Sequence, residues 1–197
     1  MRAAVLIAMV ITLLCPALAT AVAPRGWFLA GSDPASYEMQ RDSATLHGGK
    51  TSMRLASTRE PRARQLWGES GFGTAMQCID AGDYLGKRVR YSGFIRARDV
   101  RNWAGLWMRV DGQNPSTQTL AFDNMQNRPI MGTQDWKRFE VVLDVAPEAR
   151  AVCFGILLSS TGTVWLSDVG FEVVPKTVPT TDTMKQNRKP VNLDFEH

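Results

Sequence analysis

Alternation of apolar and polar side chains is the strongest signal along the chain, and it is densest between Ala151 and Val174. There Val152, Phe154, Ile156 and Leu158 alternate with Cys153, Gly155 and Leu157. Beyond a turn, Val164 and Leu166 continue the pattern, and Val169, Phe171 and Val173 resume it after a local break at Ser167-Asp168. A period of two bounded by Gly and Ser marks a half-buried strand. The stretch reads as two strands joined by a tight turn.

Val89 to Ala97 and Ala104 to Val110 alternate as cleanly and read as a long hairpin about Val100-Arg101. That register pairs Ala97 with Ala104, Ile95 with Leu106, Gly93 with Met108 and Tyr91 with Val110 on one apolar face. The other face then carries Arg90, Ser92, Phe94, Arg96, Gly105, Trp107 and Arg109. A slip of one residue would invert both faces, so the pattern selects the register. The next strand, Thr117 to Asp123, is expected to bury Leu120 and Phe122 and to put Thr119, Ala121 and Asp123 on the Trp107 side. Arg138 to Val145 turns Phe139, Val141, Leu143 and Val145 inward. Nearer the N-terminus, Tyr37 to Arg41, Thr51 to Ser57 and Thr74 to Ile79 are shorter strands, with Trp27 and Phe28 as core anchors. With no helical period in these segments, the expectation is all-β: a two-sheet antiparallel sandwich of jelly-roll type.

Both ends depart from this pattern. Arg2, an apolar run from Ala3 to Leu14 and the small-x-small triplet Ala17-Leu18-Ala19 read as a secretory signal peptide over residues 1–19, with cleavage as late as Ala23 as the alternative. Leu14 before Cys15 is a poor lipid-attachment context. The domain itself is expected over residues 24–175. Residues 176–190 have the composition of a polar linker. Val191, Leu193 and Phe195 then alternate again, so residues 191–197 are expected to return as an edge strand that completes a sheet.

Composition narrows the function classes. Roughly 175 residues remain after the leader, enough for one core. The formal net charge is +4 and loses one unit with Arg2, which does not demand a nucleic-acid partner. The leader argues against one as well, and points to an exported protein, periplasmic or secreted, with no membrane span. Two cysteines stay in the domain, Cys78 and Cys153. They fit either a disulfide in an oxidising compartment or two buried thiols in neighbouring strands. Gly49-Lys50-Thr51 lacks the earlier glycine of a phosphate loop, because that position is Ala44. His47 and His197 are the only histidines, too few for a zinc site, and no G-x-S-x-G elbow is present. The acids that could pair for glycoside hydrolysis are Asp123, Glu140, Asp144 and Asp168, with no second acid clearly beside Asp123. No cofactor is expected. A structural calcium ion would draw on Asp33, Glu38 and Asp42.

The stretch Gly162-x-Val164-Trp165-Leu166-Ser167-Asp168-Val169-x-Phe171 resembles the closing strand of the galactose-binding-like and carbohydrate-binding-module jelly rolls, with Ser167 where the first of two acids usually stands. Asn192-Leu193-Asp194-Phe195-Glu196 resembles the first strand of such domains, which normally precedes a Gly-Trp pair like Gly26-Trp27. Here it lies at the other end of the chain, as a circular shift would leave it. The order also resembles that of uncharacterised bacterial proteins sometimes labelled transcriptional regulators. The resemblance implies the fold and leaves activity open, because these domains serve as lectins, adhesins and structural modules.

The expected site is the face bearing Trp107 and Phe94. Aromatic rings stack on the C–H faces of sugars, while Arg96, Arg109, Asp123 and Asn124 would hydrogen-bond the hydroxyls. The function expected is non-catalytic binding of carbohydrate or cell-envelope glycan. The alternatives are a protein-interaction module of the envelope and, third, a hydrolase. A basic cluster of Lys87, Arg88, Arg90, Arg96, Arg98 and Arg101 fits an anionic partner or a solvated face.

Overall fold

The computed structural model describes residues 23–60, 71–115 and 117–184. The expected signal peptide, apart from Ala23, and the expected returning strand at residues 191–197 lie outside them. The described residues form nine strands: β1 (Phe28–Gly31), β2 (Tyr37–His47), β3 (Lys50–Ser57), β4 (Phe72–Asp80), β5 (Arg88–Asp111), β6 (Thr119–Asp123), β7 (Ile130–Asp144), β8 (Ala151–Ser159) and β9 (Thr163–Val174). Two short 3₁₀ turns, Pro34–Ser36 and Gly82–Tyr84, are the only helical segments among them.

No hairpin forms at Val100-Arg101. β5 runs on through it as one strand of 24 residues. Its first half pairs with β9, from Arg88↔Val174 to Arg98↔Thr163, and with β7 on the other side. Its second half pairs with β8, from Trp103↔Ser159 to Asp111↔Ala151, and with β6. The strand leaves one sheet and enters the other. The buried residues explain why a hairpin was expected: they are odd-numbered before the crossing (Tyr91, Ile95, Ala97) and even-numbered after it (Ala104, Leu106, Met108). A turn and a kink both reverse this parity. Here the reversal is a kink at Asp99, whose φ is 54°, with register shifts against β7 on either side. Positive φ, which a two-residue hairpin loop would demand, suits neither valine nor arginine.

Two antiparallel sheets result. One runs β2-β3-β9-β5-β7 and the other β1-β4-β8-β5-β6, and their inner faces enclose Leu55, Tyr91, Ile95, Leu106, Ile156 and Leu166. This is the expected jelly-roll sandwich. β8 and β9 do not pair with each other, contrary to the hairpin read from their sequence. Each takes a different half of β5, so the turn between them is an arch from sheet to sheet. Gly162 closes the arch with φ 133°, and a Cβ there would lie 2.8 Å from Val100 Cα. The break expected at Ser167-Asp168 is a bulge inside β9, with Asp168 at φ 51° and a register shift opposite Gly93. Trp27 packs edge-on against Phe154, with ring centroids 6.2 Å apart. Phe28 is 46% exposed and anchors nothing, because β1 is an edge strand.

Cys78 and Cys153 stand directly opposite each other on β4 and β8 and form a disulfide. The alternative of two free thiols is thereby closed. Residues 176–184, expected as the start of a linker, hydrogen-bond along the open side of the sandwich. Thr181 N–H donates to Val142 O (2.8 Å) on β7, and Thr183 N–H to Phe122 O (2.9 Å) on β6. Lys176 and Val178 supply carbonyl oxygens to the Arg88 guanidinium. The same guanidinium is the main cause that brings the Asp144 carboxyl down to about 2. The segment thus joins the edges of the two sheets and covers free strand groups.

Two predictions follow from this packing. The disulfide closes a loop with a sequence separation of 75. Replacing both cysteines by alanine is expected to cost about 2–4 kcal/mol, seen as a fall in Tm of about 5–15 °C. An unchanged melt would mean that the bridge adds nothing to stability. The second concerns Tyr37, only 4% exposed, whose hydroxyl donates to Gly71 O and Ser160 O (both 2.8 Å). Burial pushes its pKa up from 10.0 to about 12. Tyr91, buried, is pushed up too. The folded chain therefore holds these protons where the unfolded chain has lost them. Stability is whole below pH 10 and falls by on the order of 1 kcal/mol per pH unit and tyrosine above it. Urea midpoints at pH 9, 10 and 11 should decline, and less steeply for Tyr37→Phe. A flat profile would contradict the assignment.

Candidate functional site

The six residues expected to form one site lie in three places. The division follows from β5, because Phe94 and Arg96 precede the kink and Trp107 and Arg109 follow it. The two pairs point outward from opposite sheets.

Trp107, Arg109 and Asn124 come together on the outer face of the β8-containing sheet. They line a groove of about 330 Å³ with Thr74, Phe122 and Leu157, and with Phe72 and Met76 completing its apolar wall. Residues directly opposite in an antiparallel pair project to the same side. Arg109 lies opposite Phe122, so both face the groove, and Met108 lies opposite Asp123, so both face inward. β6 is therefore turned over relative to expectation. Phe122 belongs to the groove, and Ala121 and Asp123 belong to the interior.

Asp123 is 0% exposed. It accepts hydrogen bonds from Arg128 Nη1 (3.1 Å), Arg128 Nη2 (2.5 Å) and the Met125 backbone N–H (2.8 Å). This ion pair is what permits a carboxylate inside, and it shapes the turn after β6. The same turn passes over Gly105, where a Cβ would meet Met125 Cβ at 2.9 Å and Asn124 O at 3.2 Å. The close approach delivers Asn124 to the groove.

Trp107 forms the floor and is only 7% exposed. Its indole N–H donates to Thr74 Oγ1 (2.6 Å), and the Thr74 hydroxyl donates to Ile156 O (2.9 Å). Trp103, Leu157 and the disulfide-bonded Cys153 pack around the ring. Arg109 is held through Nε by Asp111, at 2.8 Å and 3.0 Å from the two carboxylate oxygens. The groove thus has a rigid apolar floor, braced from beneath by the buried Thr74 hydroxyl, and a rim of guanidinium and amide. Nothing in the local sequence marks Thr74, Met76 or Phe72 as members, because they arrive on β4 through long-range pairing.

Phe94 and Arg96 lie on the other sheet. Phe94 stacks on His47 with ring centroids 4.1 Å apart, and His47 meets Trp136 at 5.1 Å. His47 Nδ1 lies 3.1 Å from Asp168 Oδ2, and Lys50 pairs with the same carboxylate. Hydrogen bonding from Lys50 first, then from His47, holds Asp168 below the usual carboxylate range. Arg96 lies over the Trp165 ring at 5.9 Å, and the Trp165 indole N–H donates to Asp42 Oδ2 (2.7 Å).

The acids considered for chemistry are dispersed in the same way. Glu140 pairs with Arg138 and Arg90, and Asp144 with Arg88 and Lys176. Asp33 pairs with Arg59, Glu38 with Arg54, and Asp42 accepts the Ala44 and Thr45 backbone N–H groups.

No family model matches the chain. An uncharacterized HTH-type transcriptional regulator of Bacillus subtilis (strain 168), YbfP, is 44% identical over 175 residues. The match covers 87% of this chain and 57% of that protein, so the chain spans little more than half of its length. Among solved structures, the CBM22-1 xylan-binding domain from Paenibacillus barcinonensis superposes with a TM-score of 0.51 at 15% identity, covering 77% of this chain and 88% of that domain. A C-terminal family 22 carbohydrate-binding module of Clostridium thermocellum gives 0.50 at 13% identity, over 76% and 86%. The enzymatically active domain of a bacteriophage CBA120 tailspike also gives 0.50 at 14% identity, with 76% of this chain matching 20% of that one. At these identities the likeness is one of fold.

Proposed function

We propose that the chain is a non-catalytic carbohydrate-binding module whose site is the groove floored by Trp107. The observation that carries this reading is the composition of that groove: a fixed apolar floor of Trp107, Leu157 and Phe122 beside Arg109 and Asn124. Sugars present the complementary pattern, with apolar C–H faces edged by hydroxyls. The fold shared with xylan-binding and other carbohydrate-binding modules supports it by analogy. Each of Asp123, Glu140, Asp144 and Asp168 is bound to a cation, which supports binding over hydrolysis. The disulfide supports the reading of an exported protein, for which a cell-envelope glycan is the ligand class we propose. The helix-turn-helix in the name of the B. subtilis relative has no counterpart among the described residues, which are strands and two 3₁₀ turns. The segment shared with that protein is read as a binding domain.

One observation favours a second reading, a protein-interaction module. Trp107 offers little of its ring face, and a covered floor suits a protein partner better than a stacked sugar.

The test is tryptophan fluorescence titrated with a panel of soluble glycans, in wild type and in the half-buried groove variants Phe122→Ala and Arg109→Ala. A saturable change weakened about tenfold in both variants is expected, equivalent to about 1.4 kcal/mol. Trp107→Ala is less suitable, since emptying so buried a site costs about 3–5 kcal/mol of stability. Silence across the panel, or a response indifferent to both variants, would remove the groove from consideration and favour the protein-interaction reading.

A further inference from the structure

A second cavity, of about 550 Å³, opens where β5 changes sheets, and it shares no lining residue with the groove. Its walls are the kink (Arg98, Asp99, Arg101), the β8–β9 arch (Thr161, Gly162) and Arg59 beyond β3. Two backbone positions beside it, Asp99 and Ser160, hold positive φ values of 54° and 68° without being glycine. Such strained positions cluster at functional sites.

Three arginines, Arg59, Arg98 and Arg101, and one acid, Asp99, line the cavity. Arg59 is paired with Asp33, and Asp99 accepts from the Thr133 hydroxyl (3.3 Å). Arg98 lies over the Trp165 ring at 5.2 Å, and the Arg101 backbone N–H donates to Thr161 O (3.0 Å). Neither the Arg98 nor the Arg101 guanidinium has a carboxylate partner among the described residues. Thr161 is 4% exposed, and its hydroxyl has no partner among the described residues either. A buried hydroxyl left unpaired is costly, and Thr161 shares the cavity lining with Arg98 and Arg101, two residues that carry guanidinium groups. Those groups present planar forks of N–H donors, the geometry that recognises oxyanions.

We propose that this cavity binds an oxyanion, carboxylate or phosphate, carried by a small ligand. The site is independent of the groove, and its test separates the two. Calorimetry at low ionic strength would use the full chain with three probes: tri-galacturonate, inorganic phosphate and a neutral xylo-oligosaccharide. At least one anion is expected to bind, with affinity that falls as salt is added. Arg98→Gln, Arg101→Gln and Thr161→Val should each weaken that binding about tenfold, the effect of losing one hydrogen bond to a charged group. Thr161→Val should hold or raise Tm, which separates lost binding from lost folding. Binding of tri-galacturonate alone identifies a saccharide carboxylate as the source, and binding of phosphate alone identifies a free phosphate. Failure of both anions, or binding unmoved by all three variants, overturns the proposal. Anion binding without neutral-sugar binding would leave this proposal standing whatever the groove's own glycan panel decides.

Discussion

A single strand belonging to both sheets is the constraint on which the rest of the structure depends. β5 pairs with β9 and β7 in its first half and with β8 and β6 in its second, so its kink at Asp99 sets where one sheet ends and the other begins. Because each side chain's direction follows from its parity along the strand, the kink also decides which residues look inward on either side of it. Gly162 matters for the same reason: the arch from β8 to β9 must pass within van der Waals contact of Val100 for the two sheets to meet there.

The surfaces this strand creates differ in character. On the β8 side, the indole of Trp107 is tied to Thr74 and on to the Ile156 carbonyl, and the Cys78–Cys153 bridge fixes β4 to β8 beside it. A groove so braced is preorganised, and a ligand would lose little further freedom from the protein on binding. On the β9 side, rings and cations are layered: Phe94 on His47, Arg96 and Arg98 over Trp165. At the kink itself Arg98, Arg101 and Thr161, whose hydroxyl is unpaired, line a separate cavity.

Buried polar groups show where the fold gives up stability for shape. Asp123 could be an apolar residue by position, since it faces the same side as Met108. It is tolerated because Arg128 and the Met125 N–H satisfy it, and in return the turn after β6 crosses Gly105 and brings Asn124 to the groove. The stretch from Lys176 to Met184 closes the open side in a similar way, through backbone hydrogen bonds to Val142 and Phe122.

What could be read from the sequence was whatever depends on local period. The alternation of Val152 to Leu158 and of Phe139 to Val145 set the strands and one inward face of each, although β8 is buried on both faces, Cys153 and Leu157 included, and the absence of a helical period in the domain set the all-β class. The six apolar positions from Tyr91 to Met108 that alternate about Val100 were also recognised as core. Pairing partners were not legible, because a parity reversal has the same signature whether the chain turns back or kinks onward. That ambiguity placed Phe94 beside Trp107 on paper and on opposite sheets in space. Asp123 was misassigned because alternation puts the larger apolar residues Leu120 and Phe122 inward and so turns Asp123 out, and its partner Arg128 becomes visible only once the turn is folded. Three members of the expected site do meet, Trp107, Arg109 and Asn124. Their company of Thr74, Met76 and Phe72 was decided by tertiary structure alone, since long-range strand pairing leaves no trace in the spacing of residues along one chain.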